Sequence, residues 1–246
     1  MNVAGGRILV VGGVRRLGRA LALDLAAHGA AVCVSSRALG AEAEAQLGAL
    51  RAAGAPEAAA VAGDVRTAHG AGTLVSEAAL ALGGLDALVF AASGPFVPTP
   101  PEEIEEAAWD ASLDTIAKGF FYSAASAYEA FAGRGGVIVA LTDYLGLQPT
   151  AAFAAHGAAK AAQIHLVKEL ARAWAKDGVR VCGVAPGPVD LEDDQQRAAT
   201  LRAAARGEWE RLVSPAAVGA AVRFCLETDG VTGANVVVDN GSLLSS

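Results

Sequence analysis

The sequence predicts an α/β fold: a doubly wound, seven-stranded parallel sheet with helices on both faces. Three observations predict it. Short β-branched runs alternate along the chain with longer Ala- and Leu-rich segments of helical period. The short runs are apolar throughout, as strands covered on both faces must be. A glycine-dense turn joins the first run to the first helical segment, where such folds bind ligands.

The elements follow in order. "RILVVGG" (7–13) reads as a strand running into glycines, and 17–29 as a helix with Leu17, Leu21 and Leu25 spaced by four and Gly29 as its stop. A second strand, "AAVCVSSR" (30–37), precedes a helix over 41–53; a third, 58–65, precedes a helix over 70–82. The fourth strand, 85–93, leads through the Pro-rich loop "GPFVPTPPEE" into helices covering 102–133. "GVIVALTD" (136–143) is the fifth strand, followed by a helix carrying His156 and Lys160, four apart and so on one face. The sixth strand and its loop cover 179–190, and the seventh covers 234–241. No linker, repeat or low-complexity tract divides the chain, which reads as a single Rossmann-type domain over 1–246.

Composition narrows the partners. With 18% charged and 5% aromatic residues in 246, this is a packed globular chain. A net charge of −7 argues against non-specific nucleic-acid binding. Cys33, Cys182 and Cys225 are few, distant and in apolar contexts, so they read as buried thiols of a reducing compartment. "MNVAGGRILVVGG" lacks the pattern of a secretion signal, and no apolar run reaches the length of a membrane span. A cytoplasmic protein is expected. His28, His69 and His165 are scattered with no ligand spacing, so no metal site is expected.

The turn "GGVRRLG" (12–18) carries the first chemical signal. Gly12 and Gly18 bracket it, and glycines there permit positive φ and close approach of a phosphate to a helix N-terminus. An acidic residue ending the second strand would suit the ribose hydroxyls of NAD(H). That strand ends instead in Ser35, Ser36 and Arg37, while Arg15 and Arg16 lie in the turn. Guanidiniums at both corners suit a 2′-phosphate, so NADP(H) is expected over NAD(H).

Further along are "GDV" (63–65), "APGPV" (185–189) and "VTGANVVVDNG" (231–241). With these motifs the chain resembles the short-chain dehydrogenase/reductase family over nearly its full length. The glycine turn is closest to the pteridine-reductase-like branch, in which an Arg, here Arg16, replaces the middle glycine. The resemblance implies a cofactor site of Gly12, Arg15, Arg16, Leu17, Gly18, Ser36 and Arg37. Asp64 and Val65 would lie by the adenine; Ala91, Ala92 and Ser93 follow the fourth strand; Pro186, Gly187 and Val189 would line the nicotinamide. Of the family's catalytic set Lys160 matches. The Tyr position is His156, the Ser position is Asp143, and the Asn position is Ile116. Phe90 and Ala91 replace two asparagines after the fourth strand. Asp143 with "QP" at 148–149 is again a pteridine-reductase feature.

In the family a Tyr hydroxyl gives its proton to the substrate oxygen, helped by the Lys cation. Imidazole donates as a cation, so Lys160 works against it, whereas a carboxylate beside it favours the imidazolium and fixes its tautomer. The expectation is an Asp143–His156 donor pair, with Lys160 holding the nicotinamide ribose. Phe96, Tyr144, Phe153 and Trp209 are candidates for a substrate pocket, and 188–212 resembles the family's substrate lid. The expected reaction is reduction of a carbonyl, quinone-like or pteridine-like small molecule. Two other readings stay open: a catalytically silent nucleotide-binding sensor or scaffold, and a non-redox lyase or isomerase using Asp143 and His156. Family members assemble through the fourth and fifth helices, implying a homo-oligomer, a dimer or tetramer.

Overall fold

The computed structural model describes residues 1–94, 96–191 and 212–244. Its strands are β1 (Arg7–Val11), β2 (Ala31–Ser36), β3 (Ala58–Ala62), β4 (Ala87–Phe90), β5 (Gly136–Leu141), β6 (Val179–Pro186) and β7 (Asn235–Val238). They form one seven-stranded sheet in the order β3-β2-β1-β4-β5-β6-β7, and every pairing is parallel. The predicted doubly wound sheet is therefore present.

Alternation along each strand sends side chains to two cores. Ile8 and Val10 of β1 join Val32 and Val34 on one face, under α1 (Arg16–Ala27) and α2 (Ala41–Ala53). Leu9 and Val11 join Cys33 on the other face, under α3 (Ala68–Ala81), α5 (Gly119–Ala130) and α6 (Ala154–Trp174). All three cysteines are free and buried. Burial, with Glu77 adding to it, pushes the Cys33 thiol up to about 12. Among the described residues no helix is long and apolar enough to cross a membrane.

Two departures from expectation bear on the site. The helical stretch after β4 is broken: α4 (Glu106–Leu113) passes through a π-helical turn, Asp114–Lys118, before α5 begins. An added residue of this kind is invisible to a 3.6-residue pattern. The second departure is α7 (Pro215–Glu227), in a stretch for which the sequence reading assigns no element. Ser214 caps it by accepting from the Ala217 N–H, and Pro215 occupies its first turn. Val218, Val222, Cys225 and Leu226 of α7 complete the first core.

β1 and β4 stop short of the expected bounds. β1 and β4 end together, Val11 beside Phe90, at the place where the chain's order across the sheet reverses. The residues shed from these strand ends, Gly12 and Ala91–Ser93, join the loop after β6, Gly187–Val189, in walling a cleft. What keeps that corner tight is the approach of α1 to the β1 exit: a Cβ on Gly18 would run into the Gly12 carbonyl. Gly18→Ala is expected to destabilise by roughly 1–3 kcal/mol, a fall of roughly 2–12 °C in the thermal midpoint. Gly48 in α2 has open space around it, so Gly48→Ala should raise stability by about 0.5–1 kcal/mol. Circular-dichroism melts of both variants check the opposite signs.

Candidate active site

The cleft at the C-terminal ends of the strands has a volume of about 970 Å³. At its base Gly12 adopts φ +77°, and a Cβ there would stand 3.0 Å from the Ala92 backbone. Only a residue without a side chain lets the turn lie against the β4 exit. The Gly12 N–H donates to Ser35 Oγ at 3.3 Å. The first turn of α1 has no acidic residue and no side-chain cap, so its amides and positive dipole end face the cleft. This cradle fits the pyrophosphate of a dinucleotide.

Arg15, Arg16, Arg37 and Arg66 line one corner together with Glu42 and Asp64. Arg16 holds φ +51°, the left-handed region that glycine favours. This accords with its place in the turn, where the family resemblance puts a glycine. Arg15 Nε and Nη2 both reach Glu42 Oε2 at 2.5 Å, joining the glycine turn to the start of α2. Arg66 forks Asp64, with Nε at 2.9 Å and Nη2 at 2.5 Å. The Arg66 hydrogen bonds hold the Asp64 carboxyl below the usual carboxylate range. Neither Glu42 nor Arg66 carries a motif, and each matters only because folding brings it to this corner. Leu17, Gly18, Ser36, Val65, Ala91, Ala92, Ser93, Pro186, Gly187 and Val189 line the same cleft.

The opposite end holds the titratable pair. β5 ends at Leu141, and Asp143 caps a 3₁₀ turn, Tyr144–Gly146, its Oδ1 accepting from the Leu145 N–H at 2.9 Å. His156 lies in the first turn of α6, and its Nε2 stands 3.2 Å from Asp143 Oδ2. An ionised carboxylate can only accept, so the shared hydrogen belongs to Nε2. His156 is 4% exposed, and the Phe96 ring meets its imidazole edge-on at 4.9 Å. One turn on, Lys160 is 3% exposed; its Nζ donates to the Leu141 carbonyl at 2.5 Å and to Gln163 Oε1 at 3.2 Å.

Of the expected substrate-pocket residues, Phe96 and Tyr144 line the cleft and Phe153 does not. Tyr144 faces the cleft beside Asp143 because it opens the 3₁₀ turn that Asp143 caps, where neighbours need not alternate as they do in a strand. Burial and the Asp143 charge push the Tyr144 hydroxyl up to about 12. Phe153 does not line the cleft: it stacks behind Phe96 at 4.4 Å, forming a second layer of the wall. Phe90 and Ile116 are fully buried, Phe90 edge-on to Phe120, so Thr115 of the π-turn faces the cleft instead. Trp209, and residues 192–211 of the expected lid, lie outside the described residues. Among the described residues no group of three or more His, Cys, Asp or Glu is placed to hold a metal ion.

A parallel sheet with this cradle at its reversal point defines a dinucleotide-binding protein of the doubly wound class. The chain belongs to the short-chain dehydrogenase family, whose model matches residues 7–202. It is 34% identical over 239 residues to the cis-4-hydroxycyclohexanecarboxylate dehydrogenase of Sinomonas cyclohexanicum, covering 95% of this chain and 94% of that one. It is 31% identical over 254 residues to 3β-hydroxysteroid dehydrogenase 1 of Eggerthella lenta, covering 99% and 95%. The fold matches a crystal structure of a short chain dehydrogenase from Burkholderia cenocepacia in complex with NADP, with a TM-score of 0.88 and 28% identity over 99% of this chain and 100% of that one.

Glu42 already occupies Arg15, and its charge repels any phosphate entering the corner. Both side chains are mostly exposed, so the effect is small. Glu42→Gln is expected to tighten NADPH binding by roughly 2–5-fold and leave NADH unchanged, read by isothermal titration calorimetry.

Proposed function

We propose that the chain is an NADP(H)-dependent oxidoreductase that interconverts a carbonyl and a hydroxyl on a small cyclic molecule. The observation that carries this reading is the Asp143–His156 contact at 3.2 Å, in the same cleft as the glycine cradle, the arginine corner and Lys160. Gly12, Leu17 and Gly18 would hold the pyrophosphate, Arg15, Arg16 and Arg37 a 2′-phosphate, Asp64 and Val65 the adenosine, and Pro186, Gly187 and Val189 the nicotinamide end. The bound nicotinamide supplies or accepts hydride.

The chain's own residues manage the proton. Asp143 fixes the Nε2–H tautomer and favours the charged imidazole. For reduction, the charged His156 keeps the Nε2 hydrogen that Asp143 holds and releases the Nδ1 proton to the substrate oxygen, becoming the neutral Nε2–H tautomer; for oxidation, Nδ1 takes the proton from the substrate hydroxyl. Tyr144 stays a neutral hydroxyl through the physiological range, since its titration is raised, and so offers a hydrogen bond and not a base. Lys160, held by the Leu141 carbonyl, would orient the ribose and keep a positive charge beneath it.

The Phe96–Phe153 stack makes a flat apolar wall suited to a ring. The names of two relatives, a hydroxycyclohexanecarboxylate dehydrogenase and a hydroxysteroid dehydrogenase, support a ring hydroxyl or ketone. Arg16 and Asp143, the pteridine-reductase-like features, bring pterins and quinones into the same panel. Assembly as a homo-oligomer goes with this reading, with Trp109 of α4 and Phe121 of α5 standing exposed. So does a reducing, cytoplasmic setting for the three free thiols.

A second reading has its own observation. His156 is almost wholly covered by Phe96, as suits a silent nucleotide-binding protein. Turnover separates the two. With cyclic ketones, quinones and pterins the wild type is expected to consume NADPH. His156→Ala and Asp143→Asn are expected to lower kcat/KM by about 10²-fold or more while NADPH still binds. Binding without turnover across the panel establishes the silent reading, and unchanged rates in His156→Ala remove the imidazole from the chemistry.

A further inference from the structure

The buried stripe of α6 runs His156, Ala159, Lys160, Gln163, Val167, Leu170. Spacing of this kind calls for apolar side chains at every position, and Gln163 breaks it away from the cleft wall. The residue is 0% exposed. Its Oε1 accepts from Lys160 Nζ at 3.2 Å, while its Nε2 finds no acceptor among the described residues. The assignment of the two amide atoms is secure on chemical grounds, because an ammonium only donates and the atom facing it must be oxygen. A buried amide with an orphaned donor is destabilising, so stability does not account for Gln163. Its oxygen does.

The need for that oxygen comes from Lys160. A buried ammonium requires acceptors for its hydrogens, and one is the Leu141 carbonyl. From the π-turn packed on α6, Ile116 brings only hydrocarbon. We propose that Gln163 is the positioning residue for Lys160, holding the ammonium toward the ribose end of the cleft through a neutral acceptor. A carboxylate at this place would hold the lysine too, but would neutralise the charge that the cleft presents to its ligand. An amide anchors the ammonium and leaves its charge in force. The proposal rests on the reading above that Lys160 serves the nucleotide.

Two measurements test it separately from that reading. In nucleotide-free protein the rate of Lys160 acetylation by acetic anhydride, mapped by peptide mass spectrometry against exposed Lys168 and Lys176, reports how firmly the ammonium keeps its proton. Gln163→Met is expected to raise the Lys160 rate about tenfold, and Gln163→Glu to lower it about tenfold. A rate within twofold of wild type in either folded variant overturns the proposal, so Gln163→Glu decides alone if Gln163→Met does not fold. Calorimetry then gives NADPH affinity, expected to weaken about tenfold in Gln163→Met. Wild-type affinity in that variant overturns the proposal. A wild type that binds no nucleotide overturns the functional reading, while the acetylation rates still judge Gln163.

Discussion

The closeness of two backbones at the exits of β1 and β4 is the constraint on which the rest depends. Gly18 packs against the Gly12 carbonyl, and Gly12 against Ala92, so the turn, the first helix and the fourth strand meet with no side chain between them. Any Cβ there would lift α1 away from the sheet. The amides of α1 would then no longer point into the crevice, and the arginines of the turn would no longer converge with Arg37 and Arg66. A cleft about 970 Å³ in volume is thus a consequence of two missing methyl groups.

The chemistry proposed for the other end rests on a different kind of local geometry. β5 stops at Leu141, and the 3₁₀ turn after it brings Asp143 to the imidazole that α6 presents one turn before Lys160. Here a carboxylate and an imidazole share one hydrogen, and the charge balance of the site rests on Asp143, His156 and Lys160 together. The aromatic wall of Phe96 and Phe153 excludes water from the imidazole, which strengthens that shared contact.

Much of this was legible in the sequence because its signals are local. The first strand-to-turn transition marked Gly12, Arg15 and Arg16, the family resemblance marked Asp64 and Pro186, and a four-residue spacing set His156 and Lys160 on one helical face. The features that escaped depend on tertiary neighbours. Glu42 matters through Arg15 and Gln163 through Lys160, and the stacking of Phe153 behind Phe96 joins two distant loops; of these pairs only the second is close in sequence. There, spacing alone cannot tell a buried amide from a solvated one. The π-turn was hidden because one added residue shifts a helical pattern without erasing it. Only α7 was missed despite a local signal, the Ser214–Pro215 start.

Arg16 carries its own consequence. A non-glycine residue in the left-handed region bears a backbone penalty of about 1–2 kcal/mol, here at the head of the first helix. Mutational drift toward glycine at this codon would relax the chain while deleting one guanidinium from the crevice. The turn therefore couples conformational ease to anion affinity in opposite directions. A lineage that keeps arginine at this site retains a less comfortable main chain in exchange for positive potential at the helix mouth.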